Sequence, residues 1–261
     1  MSGAGPDGLP TRHGDPPLAG VVFDAGLTLI YEGTPAREVA AAALGALGTP
    51  VAPAALERAM SDAMAFIGSR WHRGDWWLSE PSVRRLFTTG YRRGLAALPH
   101  LAGDEAARRR AADAIYESYF DARHWRVFED VRPTLDALRA DGVPMGVVSD
   151  WGHGLEAILL DLELGAYFAF VLVSARIGIG KPDPAVFEMA VGRLGATPGA
   201  TVYVGDTYVK DVLGARAAGM APVLLDRARA LDAPDCATVH DLRELPDRLG
   251  IPARWRPSHA G

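Results

Sequence analysis

Short apolar runs that alternate with helical patterns restrict this chain's fold more than any other feature. Val21–Phe23 form the first run, and "VPMGVV" (Val143–Val148) the second. The second follows the helical stretch "RPTLDALRADG", which Gly142 stops. Phe170–Val173 give a third and "TVYVGD" (Thr201–Asp206) a fourth, which leads into the helical "VKDVLGARAAGM". "APVLLD" (Ala221–Asp226) is the fifth. Strand and helix at this spacing predict an α/β fold, a Rossmann-like, mostly parallel sheet with helices on both faces.

Residues 34–123 break the rhythm. Thr34-Pro35 is a helix-start signal, and four helical patterns follow it with no convincing strand between them. The expected organisation is a sheet core over 18–33 and 124–250, carrying an inserted all-helical cap over 34–123. Flexible tails are expected at 1–17 and 251–261. The cap would hang over the carboxyl ends of the strands, where open α/β sheets bind ligands. No internal repeat is present.

Bulk properties exclude several functions. The net charge is −5, with charged residues at 23%, which offers no basic surface for nucleic acid. One cysteine, Cys236, makes neither an intramolecular disulfide nor a thiolate metal cluster. No apolar run reaches the roughly 18 residues of a membrane span. The Gly- and Pro-rich start lacks the apolar segment of a signal peptide. A cytoplasmic protein acting on a small molecule is expected. Arginine greatly outnumbers lysine, and Lys181 and Lys210 are the chain's only lysines.

Chemistry concentrates at the predicted strand ends, in "FDAGLT", "VVSD", "GKPDP" and "VGDTYVKD". These supply Asp24, Ser149, Lys181, and the pair Asp206 and Asp211. A carboxylate nucleophile needs a cation to screen its repulsion from an anionic substrate. Mg²⁺ suits that task, taking one or two carboxylates with water and phosphate oxygens. Asp24, Asp206, Asp211 and a backbone carbonyl near Gly26 are the candidate ligands, all expected to share one ion. Lys181 would offset the negative charge, and the Ser149 hydroxyl would hold a phosphate oxygen.

In order and approximate spacing these stretches resemble the haloacid dehalogenase-like hydrolase superfamily, from about residue 18 to 226. The resemblance implies that Asp24 is the nucleophile, that Thr28 is the hydroxyl residue closing the first motif, and that Ser149 is the second-motif hydroxyl. It makes Lys181 the third-motif lysine, and Asp206 and Asp211 the acidic pair of the fourth. An aspartyl phosphate on Asp24, hydrolysed by water, would be the intermediate. Competing motifs fail: "ARIGIGKP" lacks the first glycine and the Ser/Thr of a phosphate-binding loop, and neither GxSxG nor HExxH occurs.

Most phosphatases of the resembled superfamily carry a second aspartate two residues after the nucleophile, and here that residue is Gly26. General acid–base catalysis contributes about 10²–10⁴ in rate, so its loss predicts a slow or leaving-group-selective phosphatase. Gly26→Asp is then expected to raise turnover on simple phosphomonoesters. Tyr31, Glu32, Asp150 and His153 are the candidate substitutes for the missing acid. A phosphonatase route, which needs a cap lysine, is closed because residues 34–123 contain none. A 2-haloacid dehalogenase, with Asp24 attacking carbon and no metal, is one alternative. A catalytically idle binding protein is the other. In the cap, "SRWHRGDWW" (Ser69–Trp77) offers Arg70, Arg73 and Trp77, with Asp150 from the core, as substrate contacts by ion pairing and stacking. Packing of the cap's own helices is the first expectation for these tryptophans.

Overall fold

The computed structural model describes residues 8–71, 75–231 and 235–252. The strands are β1 Gly20–Phe23, β2 Ile30–Glu32, β3 Trp125–Val127, β4 Met145–Ser149, β5 Phe170–Val173, β6 Thr201–Gly205, β7 Ala221–Leu225 and β8 Ala237–Val239. Six of them form one parallel sheet in the order β5-β4-β1-β6-β7-β8. β1, β4 and β6 are buried along their whole length, which is why their sequences are apolar runs rather than alternating ones. β4 begins at Met145 rather than Val143, because Pro144 has no N–H to give the ladder. The Pro144 carbonyl instead accepts from the Val21 N–H at 3.0 Å.

Around this sheet lie α6 Val131–Ala140, α7 Leu155–Asp161, the single turn α8 Ser174–Ile177, α9 Pro184–Leu194, α10 Leu213–Ala217 and the short α11 Leu245–Arg248. The inserted segment holds α1 Ala36–Ala46, α2 Pro53–Trp71, α3 Glu80–Leu95, the turn α4 Pro99–Ala102 and α5 Glu105–Tyr119. Side-chain caps set two of these starts. Ser79 accepts from the Ser82 N–H at α3, and Asp104 from the Ala107 N–H at α5. The cap has its own aromatic core. Around Phe87 stand Trp71, Trp77, Tyr91, Tyr116, Tyr119 and Phe120, with ring centroids 5.3–6.2 Å away. Such tilted and edge-on contacts add to the area these rings bury.

The chain enters and leaves the cap side by side, through an antiparallel β2–β3 ribbon that pairs Glu32 with Trp125. The Gly33 and Thr34 N–H groups both donate to the His124 carbonyl, at 2.8 and 3.2 Å. No described helix is long and apolar enough to cross a membrane.

Residues 8–17, expected as part of a flexible tail, instead pack on the core. Leu9 is 3% exposed, the Arg12 N–H donates to the Leu249 carbonyl at 2.8 Å, and the Arg12 guanidinium pairs with Asp141 at 2.8 Å. Burial of Leu9 and a satisfied backbone outweigh the Gly/Pro composition there. Ile251 is likewise buried, at 2% exposed. Residues 1–7 and 253–261 lie outside the described residues.

One contact ties the far end of the chain to the turn after β1. Arg227 bonds both oxygens of buried Asp130, at 2.6 and 3.0 Å, and donates to the Thr28 carbonyl at 2.9 Å. Its guanidinium also lies over the Phe128 ring, 3.9 Å from the centroid. Removing the arginine strands a carboxylate that is 1% exposed. Breaking a fully buried pair costs about 3–5 kcal/mol, and Arg227 keeps some solvent contact. Arg227→Ala is therefore expected to destabilise the fold by about 2 kcal/mol, read as a lower urea midpoint at unchanged m-value.

Candidate active site

β1, β4 and β6 end side by side, and the four stretches singled out in the sequence meet there. Asp24 follows β1, its N–H held by the Val204 carbonyl of β6 at 2.9 Å. Ser149, the last residue of β4, donates its hydroxyl to Asp24 Oδ1 at 3.1 Å. Lys181 sits just before α9 and spends its three protons on three partners. Nζ reaches Asp24 Oδ1 at 2.7 Å, Asp211 Oδ1 at 2.6 Å and the Tyr203 hydroxyl at 3.2 Å. Tyr203 Oη lies 3.1 Å from both the Val148 carbonyl and Asp211 Oδ1.

Asp211 arrives by an unusual backbone route. After β6 the chain makes a π-helical turn, Tyr208–Val212, before α10 begins. The sequence suggested one continuous helix here. The wider turn is held by the Asp211 side chain itself, whose Oδ2 accepts from the Thr207 N–H at 2.9 Å. The end of β6 must be glycine for this to fit. A Cβ on Gly205 would stand 2.3 Å from Asp211 Cγ.

Charge in this knot does not balance. Asp24 and Asp211 share the ammonium of Lys181, Asp206 lies near enough to feel all three charges, and Lys210 is engaged with Asp150 at 2.8 Å. Burial raises the Asp24 pKa against the pull of Lys181. Burial, then the charges of Asp24 and Asp211, push Asp206 up to about 7. Burial alone would lower the Lys181 pKa, but Asp211 and Asp24 together hold it well above the ordinary value.

An added cation fits this excess of hard oxygen donors. Among the described residues no three His, Cys, Asp or Glu side chains converge as a metal cage would. Mg²⁺ needs no such cage, since water and substrate oxygens fill most of its shell. Of the expected ligands, Asp211 has both oxygens committed, to Lys181, Tyr203 and the Thr207 N–H. Asp24 and Asp206 remain as the side chains suited to hold the ion, and Asp211 as the group that positions the lysine.

Other expected residues are scattered. Thr28 is buried in the turn after β1, its hydroxyl without a partner. Gly26 lies under the Trp151 ring. Asp150 accepts from the Lys181 N–H at 2.9 Å as well as from Lys210. Trp77 packs edge-on against Trp71, ring centroids 4.7 Å apart, and donates its N–H to the Trp71 carbonyl at 3.1 Å. Arg70 turns instead onto its own helix, over the Phe66 ring and bonded to the Phe66 carbonyl. Arg73 and His72 lie outside the described residues.

A cavity of about 660 Å³ opens between cap and core, walled by Trp71, Trp77 and Leu78 from the cap and by Asp150, Lys181 and Lys210 from the core. Both lysines of the chain therefore line it. The sequence reading left Lys210, Tyr203 and Trp151 without a role. For Lys210 the signal was the scarcity of lysine, and for Trp151 its place directly after Ser149 and Asp150.

Comparison with known proteins shows the family. A family model described as haloacid dehalogenase-like hydrolase matches residues 18–219. The chain is 37% identical over 150 residues to the haloacid dehalogenase-like hydrolase domain-containing protein 3 of Danio rerio, covering 56% of this chain and 62% of that one. It is 32% identical over 153 residues to a phosphoserine phosphatase of Thermus thermophilus, covering 57% and 60%. In both cases the match spans less than two thirds of the relative's own length. Among solved structures, a 2-haloacid dehalogenase from Pseudomonas syringae superposes with a TM-score of 0.62 at 28% identity, over 89% of this chain and 98% of that one.

Among the described residues, Lys181 is the one cation touching both Asp24 and Asp211. Lys181→Met should destabilise the protein by about 3 kcal/mol at neutral pH, because it leaves two buried carboxylates facing each other. Equilibrium urea unfolding checks this.

Proposed function

The chain belongs to the haloacid dehalogenase-like hydrolases, and on that premise we propose that it is a Mg²⁺-dependent phosphatase of a small phosphorylated metabolite. The observation that carries this reading is the uncompensated carboxylate group around Lys181, in which Asp24 and Asp211 share one ammonium and Asp206 stands beside them. A site that attacks carbon and expels halide has no need of that surplus charge. A site that receives a divalent cation together with a phosphoryl group does.

Asp24 is the nucleophile. Its carboxylate oxygen attacks phosphorus, the bond from phosphorus to the leaving oxygen breaks, and the electron pair departs with that oxygen. Water then attacks the phosphorus of the aspartyl phosphate, returning the Asp24 carboxylate and releasing inorganic phosphate. Lys181 and the Ser149 hydroxyl, both bonded to Asp24 Oδ1, orient the nucleophile and stabilise charge on the phosphoryl oxygens. Asp211 and Tyr203 fix the lysine. A bound Mg²⁺, held by Asp24, Asp206 and the Gly26 carbonyl, would supply charge neutralisation for the incoming phosphate. Thr28 closes the loop that carries Asp24. Trp71, Trp77, Asp150 and Lys210 line the space left for the rest of the substrate. The phosphoserine phosphatase relative supports a small phosphorylated substrate, without naming it for this chain.

A metal-independent dehalogenase is the second reading, favoured by the likeness to the Pseudomonas syringae enzyme. A panel of phosphoesters, acyl phosphates and 2-haloacids, run with Mg²⁺ and with chelator, separates the two. Phosphate release that needs Mg²⁺, and falls at least about a thousand-fold in Asp24→Asn, is the expected result. Halide release that persists in chelator would replace the phosphatase reading. No product from any substrate would leave the fold as an idle binding protein.

A further inference from the structure

Of the side chains that the sequence offers near Asp24 as a proton donor, Glu32 and Asp150 are bonded elsewhere, and Tyr31 and His153 make their contacts away from it. Glu32 accepts from the Tyr119 hydroxyl. The His153 backbone N–H is bound to Glu80 at 2.8 Å, with its imidazole Nδ1 3.9 Å from the same carboxylate, and Asp150 is held between the Lys181 N–H and the Lys210 ammonium. The Tyr31 ring packs at a tilt on Phe128, centroids 4.6 Å apart. Position 26 itself is crowded by Trp151. A Cβ on Gly26 would stand 3.0 Å from Trp151 Cζ3, with Cε3 and Cη2 at 3.8 and 3.9 Å.

The indole has little room to yield. It is 5% exposed, packed edge-on against Trp125 at 4.7 Å and Phe120 at 6.2 Å. Its backbone N–H is fixed to Ser174 Oγ at 3.1 Å, and its carbonyl accepts from the Ala175 N–H at 3.3 Å. The ring N–H is buried with no oxygen or nitrogen partner. An orphaned donor costs free energy, so the residue contributes bulk here rather than a hydrogen bond.

We propose that Trp151 is a specificity-determining residue that keeps a proton donor away from the leaving group, restricting the site to phosphates whose leaving group departs as a stable anion. Acyl phosphates are the class that fits. The Asp24 oxygen bonds to phosphorus, the bridging bond breaks, and its electron pair leaves on a carboxylate that needs no proton. Water then displaces Asp24 from phosphorus, and the proton it sheds goes to solvent. An alkoxide from an alkyl phosphate would require the acid that the indole excludes. The inference rests on the phosphatase reading. It also changes the expectation for Gly26→Asp, which now cannot gain activity unless the indole is removed as well.

The test compares acetyl phosphate, p-nitrophenyl phosphate and ethyl phosphate, with Mg²⁺ and phosphate release as the readout. The proteins are wild type, W151F, G26D, W151A and G26D/W151A, each first shown to be folded by circular dichroism. Wild type should favour acetyl over ethyl phosphate by at least about 10² in kcat/KM, the lower end of what general acid catalysis supplies. W151F, which still has no acid at position 26, should retain that discrimination. G26D alone should gain nothing on ethyl phosphate, whereas G26D/W151A should narrow the ratio at least tenfold. A gain from G26D alone overturns the proposal, as does an unchanged ratio in a folded double variant or a wild type indifferent to leaving group. Wild type releasing no phosphate from any of the three overturns the phosphatase reading and this inference together. A steric readout accompanies it: G26A should lower Tm in the wild-type background and not in W151A, and equal losses in both overturn the packing claim.

Discussion

An ammonium gripped by two buried carboxylates is the contact on which this site is built. Lys181 Nζ lies 2.7 Å from Asp24 and 2.6 Å from Asp211, and the three groups come from the ends of β1, the approach to α9 and the turn after β6. Buried charges are tolerated only when their remaining hydrogen-bonding capacity is met. That demand explains several neighbours at once. Tyr203 takes the lysine's third proton, the Thr207 N–H takes the second oxygen of Asp211, and Gly205 leaves room for that carboxylate against the strand. A chain that elsewhere relies on arginine uses its only two lysines here. A compact point charge on a slim stem fits between carboxylates where a planar fork would not.

The parts of the fold legible in the sequence were those with long-enough patterns. β1, β4, β5, β6 and β7 are apolar runs because both faces of the sheet are covered, and glycine and proline mark their limits. The three-residue strands β2, β3 and β8 carry no readable period and exist through tertiary pairing alone. The π-helical turn is likewise invisible in "YVKDV", since it depends on a side chain bonding back to the Thr207 N–H. Residues 8–17 read as a tail by composition and pack because Leu9 finds a place in the core.

The site was legible as a set of strand-end residues, and their mutual distances were not. Asp24, Ser149, Lys181 and Asp211 meet through hydrogen bonds between residues as much as 157 positions apart. The cap resisted reading more. Its tryptophans do two things at once: Trp71 and Trp77 pack on Phe87 and also wall the cavity. Arg70, grouped with them in the sequence, turns the other way because Phe66, one helical turn earlier, offers it a ring and a carbonyl.

The match to the family model ends at residue 219, yet Arg227 reaches back from beyond that limit to the turn that follows Asp24. The stretch matched by the family model and the stretch that braces the fold therefore differ in this protein. Whoever trims the chain to that matched portion would keep Asp24, Ser149, Lys181 and Asp211 and discard the brace behind them.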